Sequence, residues 1–287
     1  MPTTVSVIVP TRDSATVIGD CLASLASQTR PPDEIVVCDG GSTDDTVAIA
    51  KRHGARVLET QPNRSAQRNH GAEASTGEFL VFVDSDMQLT PGVIADCLAT
   101  FSGTDAALVI PEVFVGEGFW AKVRGFERTF YDGVWWLEAA RWYRREQFLA
   151  IGGFDAGLVG PEDWDLDQRI RQFGQVRWSH DHIVHNEGRT QARRLLQKKS
   201  HYAESFATFT ARHPDRARLC FSPIQRANLF CRDPRRLIEH PVLTGGVFAL
   251  GMVEVAIAKG WATSWVAPTP EQPTPVTTSQ QQRTPTV

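Results

Sequence analysis

Across about the first hundred residues this chain switches regularly between short apolar runs and amphipathic stretches, and few folds tolerate that pattern. Val5 to Val9, Glu34 to Cys38, Arg56 to Leu58 and Phe79 to Val83 have the β-branched and aromatic character of buried strands. Ala15 to Ser27, Thr43 to His53, Ser65 to Ala74 and Pro91 to Phe101 have helical spacing and fall between or after them. A strand that returns to its sheet through a helix does so in parallel, by a right-handed crossover. The alternation therefore predicts an α/β fold, a mostly parallel Rossmann-like sheet flanked by helices. Parallel strands share one C-terminal edge, so the residues that follow each strand converge on one surface.

Polar clusters stand where these strands end. The first strand runs into Pro10-Thr11-Arg12-Asp13, the second into Asp39-Gly40-Gly41-Ser42-Thr43-Asp44 and the fourth into Asp84-Ser85-Asp86. Carboxylates at such an edge suit a divalent cation and the phosphates it accompanies. Asp44 and Ser42 read more simply as helix caps, whereas Asp39 and Asp84 together read as functional. Arg64, Arg68 and Asn69 lie near the start of a predicted helix, where amide dipoles and guanidinium groups attract anions. A solvated helix face would show the same residues; their position between two acidic clusters favours ligand contact.

Composition narrows the function classes. The 287 residues carry a net charge of -3, which argues against a nucleic-acid partner, and 41% apolar content is ample for a core. Five cysteines form no C-x-x-C pair, so neither a disulfide framework nor a zinc knuckle is indicated. With no basic-then-apolar leader at the N-terminus, the sequence predicts a cytoplasmic protein.

The second half differs in character. Gly152-Gly153-Phe154-Asp155 and, after the turn signal Gly160-Pro161, Glu162-Asp163 precede a helical stretch from Trp164 to Phe173. Both acids suit an N-terminal first turn by complementing the helix dipole, and both are also available as bases. Aromatics crowd the region after Asp105, including Trp120, Trp135, Trp136, Trp142 and Tyr143, and fit core packing better than sugar stacking. From Arg189 to His240 basic residues dominate, and Lys198, Lys199 and Tyr202 are candidates to reach a donor diphosphate. Val242 to Ala258 is apolar except for Glu254, short for a membrane span, and reads either as a membrane-lying helix or as one packed on the domain. With Trp261, Trp265 and the basic stretch, it suggests peripheral contact with the cytoplasmic face of a membrane. The Pro-, Thr- and Gln-rich tail predicts disorder.

Taken together, Pro10 with Asp13, the Asp39 to Asp44 run, Arg68-Asn69-x-Gly71, Asp84-x-Asp86, Gly152 to Asp155 and Glu162 to Leu166 resemble the inverting family 2 glycosyltransferases of GT-A fold. The resemblance covers about Thr4 to His185. It implies a nucleotide-sugar-binding half (1–104), an acceptor half (105–188), a basic helical C-terminal region (189–266) and a disordered tail (267–287). It also implies that Pro10, Thr11, Asp13, Asp39, Gly40, Arg64, Arg68, Asn69, Asp84 and Ser85 bind the donor, Asp39 through the base and Asp84 near the ribose. Asp86 would hold Mg²⁺ or Mn²⁺. His185 is either a second metal ligand or a histidine that ends a strand. Asp163, with Glu162 beside it, would be the base, and Gly153, Phe154 and Trp164 would face the acceptor. A hydroxyl acceptor, on a glycan or a lipid-linked glycan, is favoured over a polyprenyl phosphate, which needs no base. UDP is the favoured nucleotide. An aspartyl phosphatase, a sugar-nucleotide pyrophosphorylase and a non-catalytic binding protein are the competing classes, and the first two fit less well in their strand order and first loop.

Overall fold

The computed structural model describes residues 3–190 and 205–258. A seven-stranded sheet in the order β3-β2-β1-β4-β8-β6-β9 forms the centre. Its strands are β1 (Val5–Thr11), β2 (Glu34–Asp39), β3 (Arg56–Glu59), β4 (Phe79–Phe82), β6 (Asp105–Val109), β8 (Trp142–Arg144) and β9 (Gln175–Trp178). All neighbours pair in parallel except β8, which runs antiparallel between β4 and β6. Parallel strands covered on both faces read as unbroken apolar runs, which is why β1, β2 and β4 were visible in the sequence.

Alternation along β1 divides the core. Val5, Val7 and Val9 face one cluster with Leu22 and Leu25 of α1 (Ile18–Ala26) and with Ile94 and Cys97 of α4 (Val93–Thr100). Ile8 faces a second cluster with Ala72 of α3 (Arg64–Ala74), Phe148 of α6 (Arg145–Ala150) and Leu166 of α7 (Glu162–Ile170). α3 approaches so closely that a Cβ on Gly71 would lie 2.6 Å from Ile8 Cγ2 and 2.8 Å from Cys38 Sγ. Helices α1 and α2 (Thr46–Arg52) start later than their periodicity suggests. The Asp44 carboxylate accepts from the backbone N–H of both Ala15 and Thr46 and holds the preceding residues as loop.

A second sheet, β5-β10-β7, joins β5 (Met87–Leu89), β10 (Ile183–Arg189) and β7 (Glu112–Glu117). β5 follows Asp86 directly and pairs antiparallel with β10, setting His185 opposite Met87. β7 runs parallel to β10 with His185 opposite Phe114, so Glu112 and His185 share a face.

The C-terminal helices join a third cluster rather than standing apart. These are α8 (residues 205–212), α9 (Pro214–Phe221), α10 (Pro223–Cys231), α11 (Pro234–Glu239) and α12 (Pro241–Ala258). Cys220, Leu229 and Val247 pack with Val123 and Phe126 of α5 (Phe119–Arg128) and with Phe130, Tyr131, Trp136 and Leu137 of the following loop. Arg216 is buried and donates to the carbonyls of Trp135, Trp136, Glu138 and Trp164 and to the Asp167 carboxylate, fastening α9 to α7. α12 buries Gly246, Val247 and Leu250 and leaves Val242, Phe248 and Met252 exposed. Among the described residues, no helix is long and apolar enough to cross a membrane. Lys198, Lys199, Tyr202, Trp261, Trp265 and the 267–287 tail lie outside the described residues.

Candidate active site

The ends of β1 and β2 are tied together before any ligand is considered. Gln67 of α3, absent from the sequence-based set, donates its amide to the carbonyls of Thr11 and Cys38, 2.8 Å each. Asp13 sits at φ 48°, a left-handed conformation that aspartate tolerates, and accepts from the Thr43 N–H at 2.7 Å while its own N–H donates to Ser42 Oγ. Asp39 turns its carboxylate into its own loop and accepts from the N–H groups of Gly41 and Ser42. It therefore shapes the loop at the strand edge. Pro10 and Thr11 are buried at the same edge, the Thr11 hydroxyl without a partner, and Ser85 donates to Ser14 Oγ.

From here the charged side chains form one alternating chain across the site. Arg68 donates to Asp163 Oδ1 at 2.9 Å and to Asp84 Oδ1 at 2.7 Å. Arg141 stands 3.8 Å from the other Asp84 oxygen and donates to Glu112 at 2.7 Å. Glu112 Oε2 is 3.0 Å from His185 Nδ1, and His185 Nε2 is 3.5 Å from Asp86 Oδ2. Burial raises the Asp84 carboxyl, but Arg68, Arg64 and Arg141 outweigh it and hold the group well below the usual carboxylate range. Glu112 falls to about 2, since Arg141 and His185 overcome its burial. His185 rises to about 9, its burial outweighed by hydrogen bonds to Asp86 and Glu112. Each charge is thus kept by its neighbours, which is how ionised groups survive partial burial.

Several expected donor contacts are spent internally. Arg68 is 1% exposed and bidentate to two carboxylates, so its guanidinium is not available to a phosphate. The corrected role is a bridge between Asp84 and Asp163. Asn69 also turns inward. Its amide accepts from the Phe154 N–H and donates to the Phe154 carbonyl, both at 2.8 Å, clamping the Gly152-Gly153 turn. Gly153 has φ 63°, and a Cβ there would lie 2.4 Å from Asn69 Oδ1, which accounts for glycine at that position. Phe154 is buried under Arg68, whose Cζ is 5.0 Å from its ring centroid, and offers no face to an acceptor. Trp164 donates its indole N–H to the Leu137 carbonyl and packs on Phe209 and Phe221, so it braces the loop after α5 instead of standing free. Arg64 is exposed at the start of α3, whereas Gly40 is buried against Gln67.

Asp163 is 34% exposed and Glu162 is buried. One Asp163 oxygen is anchored by Arg68, and the other makes no hydrogen bond among the described residues. Glu162 Oε2 is buried without a partner, and burial, then the charge of Asp163, raises its carboxyl.

Among the described residues, no group of three or more His, Cys, Asp and Glu side chains could enclose a metal ion. Asp86 and His185 nevertheless fit one: a carboxylate oxygen and an imidazole nitrogen, close together and open to solvent at Asp86, with the remaining positions free for ligand oxygens.

A mostly parallel sheet whose strand ends carry Asp84 and Asp86, faced by an anchored carboxylate on α7, is the arrangement of the GT-A fold. The glycosyl transferase family 2 profile matches residues 6–162, and the chain belongs to that family. A pre-mycofactocin glycosyltransferase of Mycobacterium tuberculosis (strain H37Rv) is 27% identical over 235 residues, 74% of this chain and 48% of that protein. The chain thus spans about half the length of that relative. A PGL/p-HBAD biosynthesis glycosyltransferase of Mycobacterium bovis is 31% identical over 190 residues, 62% of this chain and 74% of that protein. Among solved structures, a Pyrobaculum calidifontis mannosyltransferase in complex with GDP-Man and Mn²⁺ superposes with TM-score 0.58 at 19% identity, covering 93% of this chain and 84% of that one. Staphylococcus aureus TarS 1–349 in complex with UDP-GlcNAc gives 0.57 at 18%, covering 90% and 92%.

Proposed function

We propose that the protein is an inverting, metal-dependent glycosyltransferase that moves a sugar from a nucleotide-diphosphate donor to a hydroxyl of a glycan or lipid-linked glycan in cell-envelope or polysaccharide synthesis. The observation that carries this reading is the state of Asp163. One oxygen is fixed by Arg68 and the other makes no hydrogen bond among the described residues, in a network that continues through Asp84 to Asp86. In this reading the open oxygen takes the proton of the acceptor hydroxyl as that oxygen bonds to the anomeric carbon. The bond from that carbon to the diphosphate breaks, and a single displacement inverts the centre. Glu162 stands beside Asp163, its buried Oε2 without a partner among the described residues, as a further polar group toward the sugar or acceptor. Asp84 orients the nucleoside, Arg64 supplies positive charge at the rim, and Asp86 with His185 would hold Mn²⁺ or Mg²⁺. When bound, the metal supplies charge neutralisation to the departing diphosphate.

UDP is favoured because TarS has been solved with UDP and UDP-GlcNAc, and a mycobacterial glucosyl-3-phosphoglycerate synthase with UDP. The cell-envelope reading follows the PGL/p-HBAD relative. We also read the protein as working in peripheral contact with the cytoplasmic face of a membrane. Its most exposed large apolar side chains, Ile224, Ile238, Val242, Phe248 and Met252, all lie on α10 to α12, beside exposed Arg232 and Arg235.

The test is a panel of nucleotide sugars with Mn²⁺ and candidate acceptors, followed by release of nucleoside diphosphate. Acceptor-dependent release is expected, and Asp163→Asn should lower kcat by about 10²- to 10⁴-fold with UDP affinity nearly unchanged. Binding without turnover across the panel, or near-normal turnover in the variant, would overturn the assignment.

A further inference from the structure

His185 can offer a lone pair to a cation from Nε2 only if that nitrogen gives up its proton as the cation binds while Nδ1 keeps its own, with the ring held at a fixed angle. Retention of the Nδ1 proton and the fixed ring angle each have a visible source. Nδ1 faces Glu112 Oε2 at 3.0 Å, and Nε2 faces Asp86. Glu112 cannot turn away, because its other oxygen receives the Arg141 Nε–H at 2.7 Å. Backbone pairing fixes the rest: β7 and β10 are in register from Ile183 opposite Glu112 to Asn186 opposite Val115, and the Asn186 N–H donates to the Asp86 carbonyl. The ring of Phe114 lies 4.8 Å from the imidazole and walls its flank.

We propose that Glu112 is a positioning residue for the metal site: braced by Arg141, it keeps the His185 proton on Nδ1 and presents Nε2 beside Asp86 to a divalent cation. The inference rests on the reading of Asp86 and His185 as metal ligands and extends it to residues no motif marks. Carboxylates behind ligating histidines commonly govern metal affinity by about 10- to 100-fold. Arg141 also stands 3.8 Å from Asp84, so the same brace touches the carboxylate assigned to the nucleoside.

An amide at position 112 breaks the arrangement in either orientation. If its oxygen faces His185, its NH₂ opposes Arg141; if its oxygen faces Arg141, its NH₂ donates to Nδ1 and drives the ring proton to Nε2. The experiment is Mn²⁺ titration of the full chain with saturating UDP, read by loss of the free Mn²⁺ electron paramagnetic resonance signal. It compares wild type, Glu112→Gln and His185→Gln. Glu112→Gln is expected to weaken Mn²⁺ by about 10- to 100-fold, approaching His185→Gln, while metal-free UDP affinity stays within about threefold. If His185→Gln weakens Mn²⁺ and Glu112→Gln leaves it within about threefold, the proposal is overturned and the metal assignment stands. If His185→Gln has no effect, the metal assignment itself fails and takes the proposal with it. A Glu112 that acted only in packing would lower thermal stability without moving Mn²⁺ affinity, and that outcome also overturns the proposal.

Discussion

Replacing Arg68 with methionine tests whether the site is organised by the bridge seen here or by phosphate contacts. Arg68 is 1% exposed and serves Asp84 and Asp163 at once. Methionine keeps much of the volume and the contact with Phe154 while removing the charge. Breaking a buried ion pair from one side costs about 3–5 kcal/mol, mostly because the other charge is stranded. Asp163 is 34% exposed and can hydrate, so the main loss falls on Asp84, whose side chain is 17% exposed. Arg141, 3.8 Å away, offsets part of it, so the expected loss is about 3 kcal/mol near neutral pH, the low end of that range.

The pH dependence gives the sharper result. In the wild type, Asp84 is held well below its ordinary value, so its contribution is complete above that value and is lost only as pH falls through the depressed one. Between about pH 7.5 and about pH 5 this term is flat. Without Arg68 the burial term gains relative weight, and the carboxylate becomes easier to protonate. Acidification should then relieve the variant, and the difference from wild type should shrink by about 1 kcal/mol or more over that interval. Urea denaturation followed by tryptophan fluorescence at both pH values measures this. A loss below about 1 kcal/mol at the higher pH, or one that grows on acidification, would refute the bridge. A phosphate-binding arginine would instead leave stability near wild type and weaken UDP far more than uridine.

Gly153→Ala puts a Cβ 2.4 Å from Asn69 Oδ1 at a residue with φ 63°, so the Asn69–Phe154 clamp must open. A loss of about 1–3 kcal/mol is expected by thermal or urea unfolding, and a neutral result would show that the clamp is dispensable. Burial, and after it the charge of Asp132, pushes the Glu138 carboxyl up to about 7 although the Trp178 indole donates to it. A raised carboxyl stabilises fully below its unfolded value and loses that contribution as pH rises through about 7, so Glu138→Gln should stabilise at about pH 8 and not at about pH 4.5. Equal effects at both pH values would count against it. Phe248→Glu with Met252→Glu should abolish co-sedimentation with vesicles of phosphatidylcholine containing about one third phosphatidylglycerol and leave transfer to a soluble acceptor unchanged. Wild-type protein that stays in solution with such vesicles would remove the membrane reading.

What the sequence disclosed, and what it hid, follows from how local each signal is. Strands β1, β2 and β4 are largely covered on both faces, so burial writes itself into consecutive residues, as in Phe79-Leu80-Val81-Phe82. β8 has only Trp142, Tyr143 and Arg144, and its two aromatics point to opposite clusters, so neither length nor periodicity marks it. The strand-end aspartates were legible because parallel topology guarantees their convergence. Gln67 carried a weak signal, a buried amide within an otherwise polar helix start, recognisable only once the Thr11 and Cys38 carbonyls are known to need donors. Glu112 and Arg141 carried none. Each is a single charge without a motif, and both acquire meaning from pairing across β7, β10 and the loop before β8.

Arg68 shows most plainly why residue type and neighbourhood underdetermine chemistry. A guanidinium between acidic clusters at a helix start fits a phosphate and fits two carboxylates equally well, because both are planar or tetrahedral oxyanions presenting paired acceptors. The choice is settled by solvent. A side chain left open would meet the diphosphate, but Arg68 sits one turn into α3, over Phe154 and beneath the start of α7, where the nearest oxygens are those of Asp84 and Asp163. Arg64, one turn earlier on the same face of α3, remains exposed and is the guanidinium left at the rim. The two arginines thus divide the roles that the sequence assigned jointly. The inner one holds Asp163 and Asp84 in fixed relation, and the outer one stays at the exposed start of the helix.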